Sequence, residues 1–359
     1  MSRPTLYAAI TNHGFGHATR TAAVLAEVQR QYPHVLLILA TSAPRWLLES
    51  YLPGDFIYRP CTIDVGAVQS DGFTIDKAAT LQQLQQLRTH ENRLIAAEVN
   101  FIRQNRVDLI FADIPPLMTK IAEAAGIPCW MSSNFGWDLI YQDWGSEFAD
   151  IVDWVQDCFS RCDRLFRLPF SEPMSVFNTV TDVGLTGASP QVTAEDLRSK
   201  FHLEVAQAQT ILLTFGGMGL SQVPYHHLLQ FPDWQFITFD DAAPSVPNLL
   251  KVPRDHYRPV DFMPLCGRVV SKPGYGTFAE ACRLQIPVAS LPRLDFAEAP
   301  FLISDLQKHS HHQILAPGEF EQSWDFLRQS PLAPLSNKPF ATDGNETIAK
   351  AIVEYLVKI

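Results

Sequence analysis

The stretch Ser271-Lys272-Pro273-Gly274-Tyr275-Gly276-Thr277-Phe278-Ala279-Glu280 joins an apolar run, Gly267-Arg268-Val269-Val270, to a helical pattern from Phe278 to Leu284. The run reads as a short buried strand, and a loop with two glycines then opens the helix. A helix N-terminus carries unpaired N–H groups and partial positive charge, which suits a phosphate. Gly274 and Gly276 let the backbone approach an anion closely, and Thr277 can cap the helix or donate to an oxygen. Glu280 follows one turn later, where a carboxylate can accept both hydrogen bonds of a ribose diol. Phosphate donors followed by a diol acceptor describe a nucleotide site; the same residues also suit an ordinary strand–turn–helix corner.

The pattern recurs at the start of the chain. Leu6–Thr11 is an apolar run, Asn12-His13-Gly14-Phe15-Gly16-His17-Ala18-Thr19-Arg20 is a glycine loop, and Thr21 to Gln29 has helical spacing. Buried strands are expected at Val35–Ala40 and Val107–Ala112, and further strands at Phe56–Arg59, Cys129–Ser132 and Arg164–Leu168, the last closing a first sheet. One long helix or two spans Ile75 to Arg103. A second set follows at Thr210–Thr214, Trp234–Phe239, Leu249–Val252 and Val288–Leu291, with Phe215-Gly216-Gly217 as another glycine turn. Continuous apolar strands alternating with amphipathic helices predict α/β architecture, here two doubly wound parallel sheets. The expected domains are residues 1–182 and 183–342, with residues 343–359 forming a closing helix that packs back on the first. Such sheets bind ligands at the carboxyl ends of their strands. His13, His17, Asp113, Asn134 and Asp138 all fall at such ends.

Composition narrows the function. A 359-residue chain that is 47% hydrophobic has ample core for two domains, and a net charge of −10 argues against a general nucleic-acid binder. Six cysteines without a CxxC pair suggest buried thiols in a reducing compartment. Neither a signal peptide nor an apolar run long enough to span a bilayer is visible, so a cytoplasmic protein is expected, with peripheral membrane contact left open. Asp240-Asp241 is not a D-x-D metal motif, and His309-Ser310-His311-His312 reads as solvated histidines at a helix end rather than a metal site.

Taken together the motifs resemble the GT-B glycosyltransferases, two Rossmann-like domains facing across a cleft. Gly14-Phe15-Gly16-His17-Ala18-Thr19-Arg20, Asp64-Val65-Gly66-Ala67-Val68-Gln69, Asn134-Phe135-Gly136-Trp137-Asp138 and Lys272-Pro273-Gly274-Tyr275-Gly276-Thr277 look most like the N-terminal region of plant L-arabinokinase and its bacterial single-domain relatives. The first loop is also similar to that of the peptidoglycan N-acetylglucosaminyltransferase and of plant UDP-glucosyltransferases. The resemblance implies that Gly216, Gly217, Lys272, Gly274, Tyr275, Gly276 and Thr277 hold a donor diphosphate, Glu280 its ribose and Glu298 the sugar hydroxyls. His17 would be the general base and Asp113 the residue that orients it, with His13, Gly16, Arg20, Asp64, Asn134 and Asp138 on the acceptor side. Inverting transfer from a UDP-sugar to an acceptor hydroxyl is implied, with helix N-termini stabilising the diphosphate and no metal or other cofactor required.

Two departures stand out. Ala299 occupies a position where many glucosyltransferases have Gln, and Lys272 replaces a histidine. His13 rivals His17 for the base. Arg20 equally suits a carboxylate on its own helix surface, and Asp64, Asp71 and Asp138 suit turns or caps. A nucleotide-sugar epimerase of the same fold and a non-catalytic nucleotide-sugar-binding module are the alternative readings. No kinase domain follows the matched region, so sugar phosphorylation is not implied.

Overall fold

The computed structural model of the chain describes residues 3–69, 74–216 and 223–358; Asp71 and Gly217 lie outside them. The first sheet contains β1 (Thr5–Ile10), β2 (Leu36–Thr41), β3 (Ile57–Pro60), β4 (Leu109–Asp113), β5 (Cys129–Ser133), β6 (Arg164–Arg167) and β7 (Val180–Asp182), in the order β3-β2-β1-β4-β5-β6-β7. The second contains β8 (Thr210–Leu213), β9 (Gln235–Thr238), β10 (Leu249–Lys251), β11 (Arg268–Ser271), β12 (Val288–Ser290) and β13 (His312–Ile314), in the order β10-β9-β8-β11-β12-β13. Neighbouring strands run parallel throughout.

Every residue of β1 is buried, because helices cover both faces of the sheet. Leu6, Ala8 and Ile10 enter one apolar cluster and Tyr7 and Ala9 the other, the period of two that a pleated strand imposes. The first of these clusters continues into the second lobe through Leu212 and Val269, so the lobes share apolar packing on one side. The helix Gly344–Leu356 packs on the helix Gly16–Gln31 of the first lobe. Its return is fixed at the backbone: a Cβ on Gly344 would lie 2.1 Å from the Gly184 carbonyl oxygen. Asn345 closes the junction by donating to the Gly187 carbonyl at 2.8 Å and accepting from its amide at 3.2 Å.

Of the one or two helices expected from Ile75 the chain forms two, Lys77–Thr89 and Glu91–Gln104, broken at His90. Two expectations need correction. The first sheet does not end at Arg164–Leu168, since β7 pairs beyond β6 as a three-residue edge strand. His312 is not solvated: it is buried in β13 with Nδ1 on the Ser310 carbonyl at 3.0 Å.

The topology sets the functional end of each lobe. In the first, β1 lies between β2 and β4, and in the second β8 lies between β9 and β11. At such reversals of strand order the connecting loops diverge and leave a crevice at the carboxyl ends. The two glycine loops leave from those ends, after β1 and after β11.

Candidate active site

Strand register brings the first pair together. Ile10 lies beside Asp113 across β1 and β4, so the loop leaving β1 passes over the Asp113 carboxylate. Gly14 takes a left-handed conformation (φ 67°), turning that loop into the helix that starts at Gly16. His17 then presents Nδ1 to Asp113 Oδ1 at 2.8 Å. One turn on, Arg20 binds both oxygens of the same carboxylate, at 2.6 and 2.5 Å, and Thr21 donates to it at 2.9 Å. Burial pushes the Asp113 carboxyl up, but Arg20 and His17 together outweigh it and hold the group below the usual carboxylate range. An ionised Asp113 calls for a proton on His17 Nδ1, which leaves Nε2 as the basic nitrogen. Nε2 has no hydrogen-bond partner among the described residues.

A second set of bonds runs from this pair into the other lobe. Arg20 donates to Asn134 Oδ1 at 2.7 Å, and Asn134 Nδ2 donates to Glu298 Oε1 at 2.7 Å. Arg20 also lies 5.0 Å from the centre of the Tyr275 ring, whose hydroxyl accepts from the Thr186 amide at 3.0 Å. His13 stacks on Phe296 at 5.5 Å with a 9° interplanar angle and meets Trp137 edge-on. Burial, then the charges of His17, Arg293 and Lys272, press the His13 pKa well below the ordinary histidine value.

In the second lobe, the helix Tyr275–Arg283 starts directly after the β11 loop, and its first internal bond is Phe278 N–H to the Gly274 carbonyl. The amides of Tyr275, Gly276 and Thr277 therefore have no partner among the described residues. The helix Gly16–Gln31 likewise begins its bonding at Thr19 N–H. The two N-termini face each other closely: a Cβ on Gly276 would lie 3.7 Å from Gly16 Cα and 3.8 Å from Thr19 Oγ1. Gly216, with φ 78°, lies in the loop after β8 beside the Lys272 side chain. Glu280 is buried and accepts from the Ala188 amide at 3.2 Å; burial raises its pKa to about 7, partly offset by that bond and by Arg258 and Arg283.

These elements border one cavity of about 220 Å³. Of the candidates named from sequence, His13, Gly16, His17 and Arg20 line it from the first lobe, and Gly216, Lys272, Gly274, Tyr275, Gly276, Thr277, Glu280 and Glu298 from the second. Asp113 and Asn134 sit behind the wall and act on it through His17, Arg20 and Glu298. Asp64 is not on the wall: it bonds Thr11 and the Asn12 amide and so anchors the β1 loop. Asp138 also stays off the wall, half-buried and accepting from Gln156 at 3.4 Å, where loss of water raises its pKa. Trp137, Trp144 and Trp154 are core.

Sequence reading missed part of the wall. Tyr51, Tyr257, Arg258 and Arg293 all line the cavity. Arg258 pairs with Asp261 at 2.6 Å and lies 5.0 Å from the Tyr51 ring centre, a contact between the lobes. Such residues carry no local signal, because an Arg or Tyr between a strand and a helix looks the same whether it meets water or a ligand. Among the described residues, no group of three or more His, Cys, Asp or Glu is gathered to hold a metal, and no helix is long and apolar enough to cross a membrane.

No family model matches the chain. It is similar to L-arabinokinase of Arabidopsis thaliana, 28% identical over 309 residues, which covers 83% of this chain but 29% of that protein. The chain thus spans under a third of the length of the curated relative it matches. Among solved structures, Arabidopsis thaliana UGT89C1 complexed with quercetin superposes with a TM-score of 0.60 at 14% identity, over 99% of this chain and 90% of that one. Phytolacca americana UGT2 with UDP-2fluoro-glucose and pterostilbene gives 0.60 at 13% identity, over 99% and 94%. The glycosyltransferase SnogD from Streptomyces nogalater gives 0.55 at 14%, over 99% and 96%. The two-lobed architecture described above is the GT-B fold of these proteins, as the motif resemblance implies.

Proposed function

We propose that the chain is a glycosyltransferase that moves a sugar from a UDP-sugar to an acceptor hydroxyl, with inversion at the anomeric carbon and without a metal. One observation carries this reading. The His17–Asp113 pair and the unpaired amides of Tyr275, Gly276 and Thr277 border the same cavity from opposite lobes. In the proposed reaction His17 Nε2 takes the acceptor proton as the acceptor oxygen bonds to the anomeric carbon. The bond from that carbon to the phosphate oxygen breaks, and its electron pair leaves with the diphosphate. Lys272 and the N-terminus of the helix Tyr275–Arg283 receive the developing charge. Asp113 fixes the His17 tautomer and stabilises the imidazolium. His13 fits the base role less well: its proton affinity is depressed by burial and by neighbouring charge.

The similar fold of UGT2, solved with UDP-2fluoro-glucose, supports a UDP donor, for which Glu280 and Glu298 in the cavity wall would be the ribose and sugar partners. Domain limits at residue 182 and at residue 342 fit this reading, which assigns acceptor binding to the first lobe and donor binding to the second. The test is a thermal-shift and transfer panel on the full chain. UDP is expected to stabilise it, GDP to do so less, and UDP-sugars to be turned over with a phenolic or sugar acceptor. No response to any nucleotide, or isomerised sugar released without an acceptor, would contradict the proposal.

A further inference from the structure

We propose that the donor sugar carries a carboxylate, bound by Arg293, so that the substrate class is a nucleoside diphosphate uronic acid. This deepens the transferase reading and rests on it.

Arg293 follows β12 and lines the cavity near Glu298. Its Nε and Nη2 are buried and have no hydrogen-bond partner among the described residues. A guanidinium is charged at all working pH values and offers five donors, so leaving two of its nitrogens dry and unpaired is costly. Proteins satisfy nearly all such groups, and an orphan in a cavity wall marks a place that a ligand completes. Glu298 accepts from Asn134 at 2.7 Å through Oε1, and although its charge and that of Asp295 act on Arg293, no ion pair joins any described acid to the guanidinium.

The group is also held in place. The Arg293 guanidinium carbon lies 4.0 Å from the centre of the Phe296 ring, and Phe296 is itself stacked on His13. Its plane is therefore set before a ligand arrives, which removes part of the ordering cost of binding. A planar fork presented in this way matches a carboxylate at two points. The proposed diphosphate partners, Lys272 and the amides after Gly274, follow β11, and Arg293 follows the neighbouring strand β12. Arg293 stands instead with Glu298, the residue read as meeting sugar hydroxyls. A sugar carrying both hydroxyls and a carboxylate satisfies both side chains together.

The experiment is calorimetry on the full chain with UDP, UDP-glucose, UDP-glucuronate and UDP-galacturonate, for the natural protein, Arg293→Gln and Arg293→Lys. The natural protein is expected to bind at least one uronate roughly tenfold or more tighter than UDP-glucose. Arg293→Gln is expected to erase that preference while binding UDP as before, which also shows the variant folded, and Arg293→Lys to keep part of it. Equal binding of neutral and acidic donors would overturn the proposal. So would an Arg293→Gln loss shared equally by UDP, which would assign Arg293 to the diphosphate, or a preference that follows acidic acceptors instead of donors. Absence of any nucleotide binding would overturn the transferase reading itself, an outcome distinct from UDP binding without acid preference.

Discussion

Replacing Glu280 by Gln separates stability from ligand binding. The carboxyl is buried, and burial raises its pKa from 4.5 to about 7. An acid whose folded pKa exceeds its unfolded one binds its proton more tightly in the native state. Its stabilising contribution is complete below pH ~4.5 and is lost as pH rises toward ~7, beyond which the loss is constant. A shift of about 2.5 units at ~1.4 kcal/mol each places that loss on the order of 3 kcal/mol above pH 7. Gln has the same shape and can still accept from the Ala188 amide, but carries no charge to bury. Glu280→Gln should therefore melt a few degrees higher than the natural chain at pH 8 and nearly the same at pH 5. Glu172, which accepts from the Gly136 amide at 2.6 Å and is also raised to about 7 by burial, leaves a residual slope of the same sign. The same variant should bind UDP about tenfold more weakly, because an amide accepts one ribose hydroxyl rather than two. Thermal melts from pH 5 to 8, with and without UDP, read both effects. A Gln variant less stable than the natural chain at pH 8, or one that keeps the full pH slope, would refute the reasoning.

Other substitutions probe the opposite wall. His17→Ala should lower transfer roughly 100- to 10,000-fold while UDP binding persists, and His13→Ala should cost far less, as measured by turnover beside calorimetry. Asp113→Asn removes the partner of a buried Arg20 and should destabilise the fold by ~3–5 kcal/mol in denaturant titration, besides slowing transfer. Treatment with EDTA should leave transfer within about twofold of the untreated rate, since helix N-termini and Lys272 are proposed to carry the leaving-group charge; loss of activity restored by added divalent ion would reject that assignment.

The glycine loops were legible in the sequence because their chemistry is local: strand, Gly, and helix start follow one another within ten residues around Gly16 and around Gly276. The central strands were legible for the same reason, since burial on both faces leaves unbroken apolar runs such as Leu6–Ile10. Edge strands carry no such mark. Val180–Asp182 is three residues long with both end residues exposed, and His312 enters β13 from a stretch of histidines. The break at His90 was ambiguous because apolar spacing continues across it. Within the site, residue types pointed to His17, Asp113 and Glu280, but their roles depend on contacts distant in the chain. Arg20 serves Asp113, 93 residues away, and Asn134 reaches Glu298 over 164. Asp64 suited either an acceptor or a turn and anchors a loop, whereas Arg293 carried no assignment and lines the cavity.

The measurement that bears most directly on the whole account is a crystal structure of the chain with UDP and an acceptor analogue. The account predicts the β-phosphate against the amides of Gly276 and Thr277, the ribose diol on Glu280, and His17 Nε2 within hydrogen-bond reach of the acceptor oxygen. UDP seated away from that turn, or an acceptor hydroxyl far from His17, would contradict it.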